Sequence, residues 1–278
     1  MKDQSTKEVQ KLDPQNLPSA LSDIPGLIAG KKPAVFLDYD GCLSPIVKDP
    51  DAAVLTQEMR DTLQRLAKVC SVAVVSGRDR ANVEKLVQLD NLYFAGSHGF
   101  DISGPGNMHT EPGGAKEALP ALEEADKVLK EKLQDVEGAF VERKRYAIAV
   151  HYRNVAEAKV DRVKQVTEEV LQQYPQLKEG LGKKIIELKP NLNWHKGKAV
   201  LWLMEELGLN QPDVVPLYIG DDITDEDAFA TLQGQGIGIL VGEHDDKTAA
   251  EYRLEDVEDV QAFLETLTQT IKHQQQHN

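Results

Sequence analysis

Short apolar runs separated by amphipathic stretches define the first hundred residues of the chain. Ala34 to Leu37 is a four-residue apolar run that reads as a buried strand. Thr56 to Val69 places Met59, Leu63, Leu66 and Ala67 at helical spacing behind Thr56 as N-cap, which predicts a helix. Ser71 to Arg78 (SVAVVSGR) reads as a second buried strand, Arg80 to Leu89 as a helix and Leu92 to Gly96 as a third strand. Strand, helix, strand, helix, strand is the rhythm of a parallel α/β fold.

The rhythm breaks at residues 101–117, where Gly104, Pro105, Gly106, Pro112, Gly113 and Gly114 predict a linker. Beyond it come a charged amphipathic helix (Ala118 to Leu133), two strands (Ala139 to Glu142, Tyr146 to Tyr152), a second helix (Val155 to Gln173) and a second hairpin (Leu177 to Leu181, Lys184 to Leu188) with Gly182 at its turn. That order predicts an antiparallel sheet with helices on one face. After Pro190 and Asn191 the α/β rhythm resumes: a helix from Lys196 to Leu207, in which Trp202 and Met204 read as core, an apolar strand from Val214 to Gly220, a short helix from Asp225 to Leu232, a strand from Ile237 to Val241 and a closing helix from Val257 to Ile271. The expected organisation is a polar extension over 1–24, loosely held, an α/β core over 25–114 and 192–278, and an inserted α+β module over 115–191. The terminal HQQQHN is expected to fray with His273 and His277 facing solvent.

Composition narrows the function classes. The chain has 278 residues, 41% hydrophobic and 28% charged, as soluble domains do. Its formal net charge of -14 opposes a phosphate backbone, so nucleic acid is not an expected partner, whereas a small phosphorylated ligand needs only a few local cations. No apolar run approaches the roughly 20 residues that cross a bilayer, and the N-terminus lacks the apolar core of a signal peptide. A cytoplasmic monomer without a membrane partner is the expectation. Two cysteines, Cys42 and Cys70, make no disulfide framework and no CxxC.

The chemistry gathers where strands end. Asp38 and Asp40 lie two apart at the close of the first strand (AVFLDYDG) and so project to one side. They are a candidate metal site, a nucleophile site or both; taken alone, DYDG can also be an ordinary turn. The second strand ends in Ser76. Lys196 opens the resumed domain, and its strand ends in Asp221 and Asp222, with Asp225 one turn on. Carboxylates, a hydroxyl and a lysine at parallel strand ends suit phosphoryl transfer with a hard divalent cation.

These four pieces, DYDG, SGR (Ser76–Arg78), KG (Lys196–Gly197) and GDDITDED (Gly220–Asp227), resemble in order the four motifs of the haloacid dehalogenase-like phosphohydrolases. FLDYDG, LSPI, GSHG and GDDITDED resemble more narrowly the trehalose-6-phosphate phosphatases, over about Pro18 to Val241. The resemblance implies a Rossmann-like core carrying an inserted α+β cap of the C2 type. It implies Mg²⁺-dependent hydrolysis of trehalose 6-phosphate through an aspartyl-phosphate, the last step of trehalose biosynthesis. Asp38 would be the nucleophile and Asp40 the general acid and then base. Asp38, the Asp40 carbonyl and Asp221 would hold Mg²⁺; Ser76 and Lys196 would hold the phosphoryl group; Asp222 and Asp225 would orient metal-bound water or Lys196. Glu142, Lys144, Arg153, Lys183 and Glu187 match the positions that reach sugar hydroxyls in the family, and His98 and Gly99 stand in a loop that could touch the sugar. Without the resemblance the five inserted-module positions read as solvated β-edge charges. Arg78 is left between pairing with an aspartate and capping a helix, and Trp194 and His195 between packing and binding, with packing favoured. Cys42 stands where the family usually has Thr, which implies a looser loop and slower turnover. Alternatives are a related phosphatase for another sugar phosphate such as sucrose 6-phosphate, and a non-catalytic phosphosugar sensor.

Overall fold

The computed structural model describes residues 9–47, 52–182, 184–244 and 246–277. In chain order its elements are α1 (Ile24–Ile28), β1 (Lys32–Leu37), α2 (Gln57–Leu66), β2 (Ser71–Val75), α3 (Arg80–Val87), β3 (Tyr93–Gly96), β4 (Asp101–Gly104), β5 (Met108–Thr110), α4 (Leu119–Leu133), β6 (Phe140–Lys144), β7 (Ala147–His151), α5 (Glu157–Gln173), β8 (Leu177–Gly182), β9 (Ile185–Pro190), α6 (Lys196–Glu206), β10 (Val214–Gly220), α7 (Glu226–Leu232), β11 (Ile237–Val241), β12 (Tyr252–Leu254) and α8 (Val257–His277). They fall into two compact units, Met1–His109 with His195–Asn278, and Thr110–Trp194.

The larger unit is built on a sheet of order β12-β11-β10-β1-β2-β3-β4-β5. Pairs from β12 to β3 are parallel and β3–β4 is antiparallel. From the central β1 the chain steps outward through β2 and β3 on one side and returns through β10, β11 and β12 on the other. Strand order reverses between β1 and β10, which is where open α/β sheets leave a crevice for ligands. Leu37 pairs with Ile219 and with Val74, so the ends of β10, β1 and β2 lie level.

Period-2 alternation fills both faces of this sheet. Val35, Leu37, Val72, Val74, Leu217 and Ile219 meet Met59, Leu63 and Leu66 of α2 and Phe263, Leu264 and Leu267 of α8. Each leucine buried there contributes roughly 1.5–3 kcal/mol. Phe36, Ala73 and Tyr218 alternate to the opposite face, where Phe229 of α7 meets the Tyr218 ring edge-on at 5.8 Å between centroids.

Four expectations need correction. Residues 101–110 are not linker: they form β4 and β5, and the Gly and Pro residues serve the turn between them, with Gly106 at φ 72°. The stretch 12–24 is not loosely held. Leu12 exchanges backbone hydrogen bonds with Thr248, Ala20 donates to the Arg253 carbonyl at 2.9 Å, and Pro14, Leu17 and Ala20 are buried. The tail does not fray after Ile271, because α8 continues to His277, although His273 is exposed as expected. Trp202 is only half-buried, while Met204 is core. Strand β12 went unanticipated because three residues carry no readable alternation.

The second unit has a four-stranded antiparallel sheet of order β6-β7-β9-β8. One face, through Ile148, Val150, Leu177 and Leu188, packs on Leu122, Leu129 and Leu133 of α4 and Val163, Val166 and Val170 of α5. At this unit's start Glu111, its side chain 2% exposed, accepts from Arg145, Lys116 and Tyr146. Burial alone would raise its pKa; the hydrogen bonds from Lys116, Tyr146 and Arg145 outweigh that and hold it at about 2. Gly113, at φ 80°, lies against the Trp194 ring, so Trp194 packs within this unit.

The Glu111 cluster gives a stability prediction. Its folded pKa is depressed from 4.5, so its contribution is complete above that value and is lost as pH falls toward about 2. Lys116 and Arg145 reach solvent, so Glu111→Gln should cost about 1–2 kcal/mol at neutral pH. Denaturant midpoints of parent and variant should differ at pH 7 and converge toward pH 3; a gap that widens on acidification would refute the assignment.

Candidate active site

Asp38 is the first residue past β1. Its backbone N–H continues the ladder to the Ile219 carbonyl at 2.9 Å. Its carboxylate is buried, 6% exposed, with Oδ1 accepting from the Tyr39 N–H at 2.7 Å and Oδ2 accepting from Lys196 Nζ at 2.7 Å. Tyr39 between the two acids is fully buried and donates its hydroxyl to the Ala53 carbonyl at 2.6 Å, which ties the loop back to the chain after it. Asp40 points its carboxylate into the fork of Arg78, with Nε–Oδ2 and Nη2–Oδ1 both 2.7 Å. The guanidinium also donates to Asn82 Oδ1 at 3.1 Å and lies 5.5 Å from the Tyr39 ring centroid. Arg78 therefore pairs with an aspartate, one of the two options left open for it.

Lys196 opens α6 and is 2% exposed. Its ammonium bridges Asp38 Oδ2 and Asp225 Oδ1, the latter at 2.8 Å. Asp225 is completely buried, and four donors converge on it. Oδ1 accepts from Lys196 and from the Tyr218 hydroxyl at 2.6 Å; Oδ2 accepts from the N–H groups of Asp221 at 3.1 Å and Asp222 at 3.0 Å. Four donors saturate a carboxylate. Gly220 makes the fold-back possible, since a Cβ there would lie 2.3 Å from the Asp225 carboxyl carbon. Burial pushes the Lys196 pKa down, and the Asp225 and Asp38 carboxylates more than reverse it, so the ammonium titrates above the ordinary lysine range.

Asp221 closes the cluster from the end of β10. Its carboxylate lies where a Cβ on Gly41, which holds φ +75°, would come within 2.0 Å of it. Burial, reinforced by Asp225 and opposed by Lys196, raises its pKa to about 7. Burial likewise lifts Asp38 against the pull of Lys196. One oxygen each from Asp38, Asp221 and Asp225 lie within 4.8 Å of one another. Three carboxylates against one ammonium leave two negative charges unbalanced in a buried cluster, and hard oxygen donors with that excess fit a divalent cation. Asp225 has no lone pair left to offer, so Asp38 and Asp221 are the carboxylates that could hold it.

Other anticipated residues take varied places. Ser76 is buried at the end of β2 and accepts from the Arg78 N–H at 3.1 Å. The loop of His98 and Gly99 is tied to that strand end: His98 N–H donates to the Ser76 carbonyl at 2.9 Å, Ser97 N–H to the Arg78 carbonyl at 2.7 Å, and the His98 ring lies against Gly77. Asp222 is exposed and caps its own turn through Ile223 N–H at 2.7 Å. Cys42 is fully buried; burial, with Asp221 next, pushes its thiol up, which keeps it neutral. In the second unit Glu142, Lys144 and Glu187 share one sheet face around Ala147 and Ala149. Glu142 meets His151 Nε2 at 2.8 Å, and Lys144 Nζ lies 3.7 Å from Glu187. Arg153 is exposed in the turn after β7. Lys183 lies outside the described residues. Sequence reasoning passed over Tyr218; the signal it carried is a single hydroxyl inside VVPLYIG, since a buried tyrosine O–H needs a partner.

Comparison with known proteins follows this geometry. The family model for trehalose-phosphatase matches residues 36–258. The trehalose 6-phosphate phosphatase RA3 of Zea mays is 45% identical over 268 residues, covering 90% of this chain and 74% of that protein. The C-terminal domain of a Candida albicans trehalose-6-phosphate phosphatase superposes with a TM-score of 0.74 at 25% identity, covering 91% of this chain and 98% of that one. A haloacid dehalogenase-like hydrolase from Bacteroides thetaiotaomicron, 16% identical with a TM-score of 0.60 over 87% of this chain and 99% of that one, shares the fold.

The charge excess predicts how stability responds to pH. Between the ordinary aspartate value of 3.8 and about 7, folded Asp221 holds a proton that the unfolded chain has released, so stability falls as pH rises through that window. The melting temperature of cation-free protein should therefore fall from about pH 5 to pH 8, Asp221→Asn should flatten that slope, and a divalent cation should raise the pH 8 value most. An unchanged slope in the variant would show that another group carries the excess.

Proposed function

The chain belongs to the trehalose-phosphatase family, and we propose that it hydrolyses trehalose 6-phosphate to trehalose and phosphate through an aspartyl-phosphate on Asp38, with Mg²⁺ as cofactor. One observation carries the proposal: Asp38 stands at the strand-order reversal with one carboxylate oxygen on Lys196, and an oxygen of Asp221 lies within 4.8 Å of its carboxylate.

Asp38 attacks phosphorus while Asp40 gives a proton to the leaving sugar oxygen. Asp40, now a carboxylate, takes a proton from water, and that water attacks the phosphorus of the acyl phosphate, releasing phosphate and restoring Asp38. Dividing hydrolysis into two displacements lowers each barrier. Lys196 and Ser76 hold phosphoryl oxygens, and Asp225 holds Lys196. Asp38, Asp221 and the Asp40 carbonyl hold Mg²⁺, which supplies neutralisation of the charge developing on the phosphoryl oxygens. Asp222, as cap of its turn, fixes the approach to Asp221. Arg78 holds Asp40 between turnovers, so Asp40 must exchange that fork for the leaving oxygen.

Residues 115–191, within the second unit, act as a cap domain that selects the sugar. Glu142, Lys144, Arg153, Lys183 and Glu187 bind its hydroxyls, and the His98–Gly99 loop adds a contact from the core. Groups that must hydrogen-bond a hydroxyl reject analogues lacking it strongly.

Phosphate release should be fastest with trehalose 6-phosphate across a panel that includes sucrose 6-phosphate and hexose phosphates. It should vanish on chelation and in Asp38→Asn. Equal rates across the panel would overturn the substrate, and Asp38→Asn within tenfold of the parent would overturn the covalent route. Separately, Glu187→Ala should raise KM for the disaccharide at least about tenfold while leaving KM for a small aryl phosphate unchanged. Equal changes on both would place Glu187 outside sugar recognition.

A further inference from the structure

Tyr218 is the one polar side chain in β10 and is fully buried. Its ring meets Phe229 edge-on, and its hydroxyl donates to Asp225 Oδ1 at 2.6 Å. That oxygen is the one Lys196 uses, at 2.8 Å. The two donors therefore share, and jointly fix, a single acceptor oxygen. Asp225 Oδ2 is already held by two backbone N–H groups. Tyr218 determines where the remaining freedom of the carboxylate settles, which is rotation of Oδ1 toward or away from Lys196.

We propose that Tyr218 is a positioning residue for the phosphoryl-binding lysine: its hydroxyl locks the Asp225 carboxylate in the orientation that aims Lys196 Nζ at Asp38 Oδ2. The inference rests on the reading of Lys196 as the group that holds phosphoryl oxygens. Without the Tyr218 hydroxyl, Asp225 Oδ1 keeps only the lysine as donor. The ammonium is drawn more closely onto Asp225, and its third bond, the one available to a phosphoryl oxygen, loses its direction. A ring of rigid geometry, held by an edge-on aromatic neighbour, suits this task better than a flexible donor. A buried tyrosine needs a partner somewhere, but the fold offers it the one acceptor whose orientation controls the lysine.

Tyr218→Phe removes one oxygen and keeps the ring against Phe229. In the full chain with Mg²⁺, it should lower kcat about tenfold and raise KM several-fold, by the same factors for trehalose 6-phosphate and for a small aryl phosphate, since the lysine meets only the phosphoryl group. Circular dichroism and melting should report a folded protein. Inorganic phosphate affinity, read by calorimetry in Mg²⁺, should weaken several-fold, and so should the inhibition constant of vanadate. The last two do not depend on the fraction of active molecules, so a loss through stability alone leaves them unchanged. Unchanged kcat, or a lower kcat with unchanged phosphate and vanadate affinity, overturns the proposal. If the parent chain proves inactive on trehalose 6-phosphate, the substrate assignment fails, while phosphate affinity in parent and Tyr218→Phe still decides the role of Tyr218.

Discussion

Lys196 is enclosed between Asp38 and Asp225 with almost no exposure, and the rest of the larger unit is arranged so that this is tolerable. Removing a charge from water costs several kcal/mol even after relaxation, and an ion pair recovers it only when the geometry is good and the remaining lone pairs are satisfied. Asp225 meets both conditions, with two side-chain and two backbone donors. Asp38 meets them in part. Asp221 does not, and burial, reinforced by Asp225, pushes its carboxylate toward neutrality. A site that satisfies one acid fully and leaves another under-satisfied has directed its unbalanced charge to one place, the crevice between the ends of β1 and β10.

The sheet makes that placement possible. Parallel pairing brings Leu37 level with Ile219, so the residues that follow each strand emerge side by side. Gly41 and Gly220 are two points of close approach at this site, one admitting the Asp221 carboxylate and the other the Asp225 carboxylate. A methyl group at either would displace an acid by more than the tolerance of a hydrogen bond. The apolar alternation of β1 and β10 and the helices on both faces thus supply a rigid support, which preorganised electrostatic sites require.

Much of this was legible in the chain. Apolar runs ending in acids predicted the strands, and 3.6-residue spacing predicted α2, α4, α5 and α6, because both signals are local. Asp38, Asp40 and Asp221 declared themselves by position at strand ends. Lys196 joined them as the lysine that opens the resumed domain, which with the acids and Ser76 suits phosphoryl transfer. Arg78 and Asp40 are 38 positions apart, and their bidentate pairing is a fact of β1 lying beside β2 that no local pattern records. Glu111 and its partners, up to 35 positions away, were invisible for the same reason. Residues 101–110 were misread because Gly and Pro mark a tight turn between short strands as readily as a linker.

The second unit solves a different electrostatic problem. Its open sheet face has Ala147 and Ala149 at the centre, small enough for Lys144 to reach past β7 toward Glu187. Glu142 is held from the other side by His151, whose ring also stacks near Phe140 at 5.5 Å. Opposite charges are paired, yet all are partly exposed, so each keeps donor or acceptor capacity for another group. Such pairs add little stability; what they add is a fixed set of orientations on a flat, small-residue floor. The larger unit concentrates charge in a buried network around Lys196, where displacement is costly. This face disperses charge over side chains that water can reach.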